Sequence, residues 1–196
     1  MPNITQPTIT PASGFQCSDA ATYFTQMEDQ TRRLLKAIAD ITPAELEWQS
    51  APGMNTIGML LAHLAGAEVA WAMRGFEGYQ ASDLDGFIAK VEALGFPDDG
   101  IGLAPDGLPP SYFAGKDLVY YTDRLARARE YWRRAASKIT CEQMKTEITE
   151  TIWDGTQRTY TPRWVMYHIL VHFPGHASQI YMLRHMYRDA TGQPKQ

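Results

Sequence analysis

From Ser18 onward, apolar residues recur every three or four positions. Phe24, Met27, Leu34, Leu35, Ile38 and Ile41 fall on one helical stripe. Ser18 and Asp19 suit an N-cap, so a helix is predicted over 18–41. Thr42-Pro43-Ala44-Glu45 has the form of a capping box with proline at the first helical position, and "SAPGMN" stops the turn that follows. A second long helix is predicted over 56–74, apolar almost all round and therefore central. A short helical piece fits near 82–94. Residues 95–116 are dense in Gly and Pro and predict a long loop. A third long helix over 117–139 carries Leu118, Tyr121, Leu125, Ala128, Trp132, Ala135 and Ile139 as its inner stripe.

The period then changes. In "TEITETIWDGTQRTYT" β-branched residues flank Asp154-Gly155, and a small β-hairpin is predicted at 146–160. Thr161-Pro162 restarts a helix that runs from 162 to 188. Residues 1–17, polar and rich in Pro and Thr, are predicted to form a flexible N-terminal arm, with the domain proper over 18–190. Four long helices that must bury one another's stripes predict an all-α four-helix bundle, with the hairpin just before the last helix. The long connection between the second and third long helices permits a crossover.

Composition narrows the function classes. A chain of 196 residues at 44% hydrophobic and 20% charged is one ordinary globular domain. It can bury a core without a metal to hold it together. The formal charge of -4 gives no support to nucleic-acid or anionic-membrane binding. The arginine-rich run Arg124, Arg127, Arg129, Arg133, Arg134 shares its helix with Asp123 and Glu130 and reads as a solvated face. Cys17 and Cys141 lie far apart, so neither a disulfide framework nor a thiolate zinc site is expected. With no signal-peptide pattern at the N-terminus, a cytoplasmic location is expected.

Histidines change the picture. There are five, and His168, His172 and His176 stand at intervals of four, forming one row on the last helix with Gln179 on the same side. His185 points elsewhere. Two histidines at i and i+4 can chelate one divalent metal. All three cannot, because His168 and His176 are about 12 Å apart along the axis and a metal–nitrogen bond is about 2 Å. The pair is therefore 168/172 or 172/176, and a further ligand must come from elsewhere. His63, alone in the apolar "MLLAHLAGAEVAW", can supply it if its helix lies beside the last one. Three neutral imidazoles with open positions suit zinc, nickel or another first-row divalent metal. Pro174 opposes this: it deletes one helical hydrogen bond and disfavours helix at Phe173.

"LLAHLAGAEVAW", followed about a hundred residues later by "HFPGHASQIYMLR", resembles the DinB-like superfamily of metal-dependent enzymes. The hairpin ending at "TYTPRW" fits too, and the resemblance covers most of residues 18–188. It implies an up-up-down-down bundle, frequently dimeric, with His63, His172 and His176 as metal ligands. Gln179 would match the glutamine that follows them, leaving His168 as a neighbour. Understood members of that family include S-transferases that use mycothiol or bacillithiol, and metal-dependent isomerases. Pro174-Gly175 and the length of 95–116 depart from the family pattern.

On this basis the chain is expected to be a metal-dependent hydrolase or low-molecular-weight-thiol S-transferase. The metal, zinc or nickel, would activate water or thiol against a small-molecule substrate. Gln179 and His168 would stand behind the ligands, and Trp71 and Trp164 would line an apolar pocket. Glu68 lies about 140° round its helix from His63, so it is expected to partner an arginine; no general base is evident. The competing expectation is a non-catalytic, metal-binding or structural dimeric bundle. No nucleic acid and no membrane are expected as partners.

Overall fold

A computed structural model describes residues 9–79, 84–96, 103–152 and 154–193 of the chain. The elements are α1 (Ser18–Ala37), α2 (Pro43–Glu47), α3 (Ile57–Phe76), α4 (Leu84–Ala93), α5 (Leu118–Ala136), a hairpin of β1 (Ile148–Thr151) and β2 (Gln157–Tyr160), and α6 (Pro162–Thr191). The fold is an all-α bundle with a small hairpin before its last helix. Helix starts follow their caps. Thr42, Thr56, Asp117 and Thr161 each accept, on the side chain, the backbone N–H three residues on. α6 ends at Gly192, whose φ of 69° is the left-handed C-terminal stop.

α3 is the central helix. It packs on α5 along one side and α6 along another, and α1 packs chiefly on α6. The two long helices that follow one another first in sequence, α1 and α3, thus lie across the bundle from each other, whereas α3 and α5, joined by the long connection expected to permit a crossover, are neighbours. Leu34, Leu61, Leu64, Trp132, Ile169 and Phe173 are fully or nearly fully buried between the four. β1 and β2 pair antiparallel with Ile148 opposite Tyr160, around the Asp154-Gly155 turn.

Three expectations are corrected. Cys17 and Cys141 form a disulfide, with Cα atoms 4.9 Å apart. Gln16 N–H donates to the Ser137 carbonyl at 3.0 Å, and that contact brings the start of α1 beside the end of α5. The pairing removes cysteine usage as an argument for a reducing compartment.

The arginine run on α5 is not one solvated face. Arg124 and Arg129 are buried. Arg124 donates to the Gly95 carbonyl and the Tyr120 hydroxyl, while Arg129 holds Glu68 on α3 and the Thr31 hydroxyl on α1. The arm shortens as well: residues 9–17 lie against the bundle, with Phe15 on Phe24 and the Ser13 carbonyl accepting from Arg133, and residues 1–8 are outside the described set. Part of the 95–116 loop, residues 97–102, is also outside it. Beyond that gap a short 3₁₀ turn at Ser111–Phe113 buries Phe113. No helix among the described residues is long and apolar enough to cross a membrane.

Candidate metal centre

α3 and α6 lie side by side, so His63 on the first meets His172 and His176 on the second. His172 Nε2 is 3.1 Å from His63 Nε2 and 3.1 Å from His176 Nε2. One ligand atom from each of the three lies within 4.8 Å of the others. This is the 172/176 pair of the two that the row allowed.

Pro174 does not break α6, which is helical from Pro162 to Thr191. Phe173 and Ala177 are buried on either side of it, and that burial outweighs one lost backbone hydrogen bond. The one-turn spacing of His172 and His176 therefore survives.

The donor set fits a divalent cation. Nitrogens each about 2 Å from one ion sit roughly 3 to 3.5 Å from one another; two of the three separations, both 3.1 Å, fall in that range, and all three lie within 4.8 Å. His172 Nε2 has a single proton or a single lone pair to offer two neighbours at equal distance, so hydrogen bonding alone serves only one of them well. A cation accepts from all three. His176 is already prepared for this: its Nδ1–H donates to Gln179 Oε1 at 2.7 Å, which leaves the Nε2 lone pair facing the other histidines. Burial, with the adjoining imidazoles, pushes the pKa of His172 down to about 3. It is neutral, as a ligand must be, at any physiological pH.

His168 stays outside the group. Its ring stacks on Trp164 at 4.8 Å and 13° and tilts against Trp71 at 4.8 Å. Burial, then the nearby Arg158 charge, lowers its pKa. His185 is exposed.

Glu68 points away from the centre and is bound by Arg129 Nε at 2.9 Å, so it partners an arginine as expected. Beside His63 opens an apolar cavity of about 290 Å³ between α3 and α4, with Trp71, Phe87 and Phe96 among its walls. Trp71 lines this cavity; Trp164 is not one of its lining residues, packs edge-on to Trp71 and is 39% exposed. A second cavity of about 230 Å³ opens on the other side of the centre, next to Gln179.

Sequence reasoning passed over α4 and Phe96, which wall the cavity beside His63.

A helical bundle with a three-histidine group between two of its helices, open to an apolar cavity, defines a class of proteins able to hold a metal ion. A family model of the DinB superfamily matches residues 26–180, and the chain belongs to that superfamily. No curated protein matches it.

Proposed function

We propose that the chain is a metal-dependent enzyme, a hydrolase or a low-molecular-weight-thiol S-transferase, with zinc or nickel held by His63, His172 and His176. The observation that carries this is the convergence of three imidazole nitrogens, one of them from His63, which also lines an apolar cavity. A divalent metal there supplies Lewis acidity, which lowers the pKa of water or a thiol towards neutrality. The chain's own residues do the rest. Gln179 fixes the tautomer and orientation of His176. Trp71, Phe87 and Phe96 exclude water from the side on which His63 lines the cavity. His168, clamped between Trp164 and Trp71, backs the row of α6 without joining the group.

The alternative, a non-catalytic metal-binding or structural bundle, is less well supported. Structural zinc is usually held by four protein ligands, and among the described residues this group has three. Three ligands and an adjoining cavity suit a centre that substrate can reach.

The test is metal-loaded protein incubated with a panel of low-molecular-weight thiols and electrophiles, and separately with esters and amides. Turnover in at least one arm, lost in His63→Ala, is expected. No turnover in any arm, from protein shown to carry its metal, would favour the non-catalytic bundle.

A further inference from the structure

The second cavity, of about 230 Å³, lies against α6 beside Gln179. Gln179, Met182, Leu183 and Met186 line it, and their spacings of three, one and three put them on one face of that helix. The facing wall comes from Leu60 on α3, residues 53–55 and Leu103. That wall is held in place. Gly53 N–H and Gln49 Nε2 both donate to the Gly107 carbonyl at 2.9 Å. A Cβ at residue 53 would stand 2.6 Å from the Pro105 carbonyl oxygen, and φ there is +78°, so glycine lets the two loop stretches close on each other.

None of the residues lining this cavity is charged. The cavity beside His63 differs, since Glu92 is on its wall. An ion of either sign would lose water here and meet no counter-charge. Met54, Met182 and Met186 are 51%, 58% and 42% exposed. Three thioethers on flexible stems around one opening make an apolar surface that adapts to what enters.

The polar groups on the wall are the amides of Asn55 and Gln179. Gln179 Oε1 accepts from His176 Nδ1–H. The same amide carries two N–H donors on Nε2, and no acceptor among the described residues is bonded to them. Gln179 therefore touches a candidate metal ligand with one atom and can offer a donor to the cavity with another.

We propose that this second cavity takes an uncharged, largely apolar carbonyl compound. Its carbonyl oxygen accepts from Gln179 Nε2, and its hydrocarbon or aromatic body lies among Met54, Met182 and Met186. The compound is the substrate class of the enzyme proposed above, and in that respect the inference rests on that reading. The cavity falls just below the usual range of small-molecule pockets, about 300–1,000 Å³, so it holds a small molecule or one end of a longer one.

The experiment compares benzylacetone, an uncharged ketone, with the anion hydrocinnamate and the cation phenylpropylammonium, which are close to it in shape. Binding is measured by calorimetry on the full chain as purified, with metal content measured on the same samples. The wild type is expected to bind the ketone about tenfold or more tighter than either ion. Chelator-treated wild type should keep the ketone, which separates the amide from the metal. In Gln179→Glu one carboxylate oxygen still accepts from His176, but the other repels a carbonyl, so ketone affinity should fall about tenfold. In Met182→Ser it should fall about fivefold. Both side chains are exposed, and melting curves establish that each variant is folded.

Equal affinity for the ketone and either ion, or no ketone binding at millimolar concentration, would overturn the proposal. So would ketone binding that chelation abolishes, since it would place the carbonyl on the metal. Affinity unaltered in either variant would overturn it too, by placing the ketone elsewhere. The two readings fail separately. Protein that carries no metal yet binds the ketone through Gln179 sinks the enzyme and leaves the carbonyl site. Metal-bearing protein that does not bind it does the reverse.

Discussion

Gln179 acts on the centre through one hydrogen bond. It keeps the proton of His176 on Nδ1, so its loss frees the ring to rotate and to change tautomer. Gln179→Ala is expected to lower metal affinity by about 10- to 100-fold, read by competition with a chromogenic chelator, while Gln179→Glu keeps most of it.

His172 gives a second handle. Its pKa in the folded protein is about 3, whereas an unfolded histidine titrates near 6.5. The folded value is the lower one, so the unfolded chain binds more protons between the two. Stability from this group is therefore complete above about pH 6.5 and is lost as pH falls from there towards 3. Urea denaturation of chelator-treated protein at pH 7 and pH 4.5 should show the midpoint dropping, and dropping less in His172→Gln. An identical pH response in the two would contradict the assignment.

The histidines themselves were legible in the sequence, because a spacing of four and a lone His in an apolar helix are local patterns. The choice between 168/172 and 172/176 was not settled by spacing, since it depends on where His63 arrives from another helix.

Among the elements, the amphipathic stripes fixed α1, α3, α5 and α6 to within a few residues, and threonine caps marked the starts of α3 and α6; α1 instead starts after Cys17, with no side-chain cap where Ser18 and Asp19 were expected to supply one. α5 shows what periodicity cannot reveal. Arg129 falls among charged neighbours, yet its guanidinium is carried into the interface with α3, where Glu68 awaits it. The pair ties the helix that carries His63 to α5. Arg129→Met would leave Glu68 as a buried, uncompensated carboxylate, at a cost of about 3–5 kcal/mol. Adding Glu68→Gln should recover much of that loss. Thermal melts of the single and double variants check this; a double variant no more stable than the single would contradict it. Pro174 is the converse case. Local rules argue for a break, and tertiary burial of Phe173 and Ala177 keeps α6 whole.

Across the whole molecule, the two features that sequence could not supply are both long-range. The Cys17–Cys141 disulfide joins residues separated by 124 positions, and nothing in either local sequence marks the partner. The cavity beside His63 depends on α4 folding back over α3, a contact between stretches that individually read as a central helix and a short helical piece. The bundle class, by contrast, follows from counting stripes, and the family match over residues 26–180 agrees with it.

The most direct test is elemental analysis of tag-free protein, as wild type and as His63→Ala, His168→Ala, His172→Ala and His176→Ala. The geometry calls for close to one transition metal per chain in the wild type, lost from the His63, His172 and His176 variants and kept by His168→Ala. Wild type without metal that takes up neither added zinc nor added nickel would contradict it, as would a His168 variant that loses metal as completely as the His172 one.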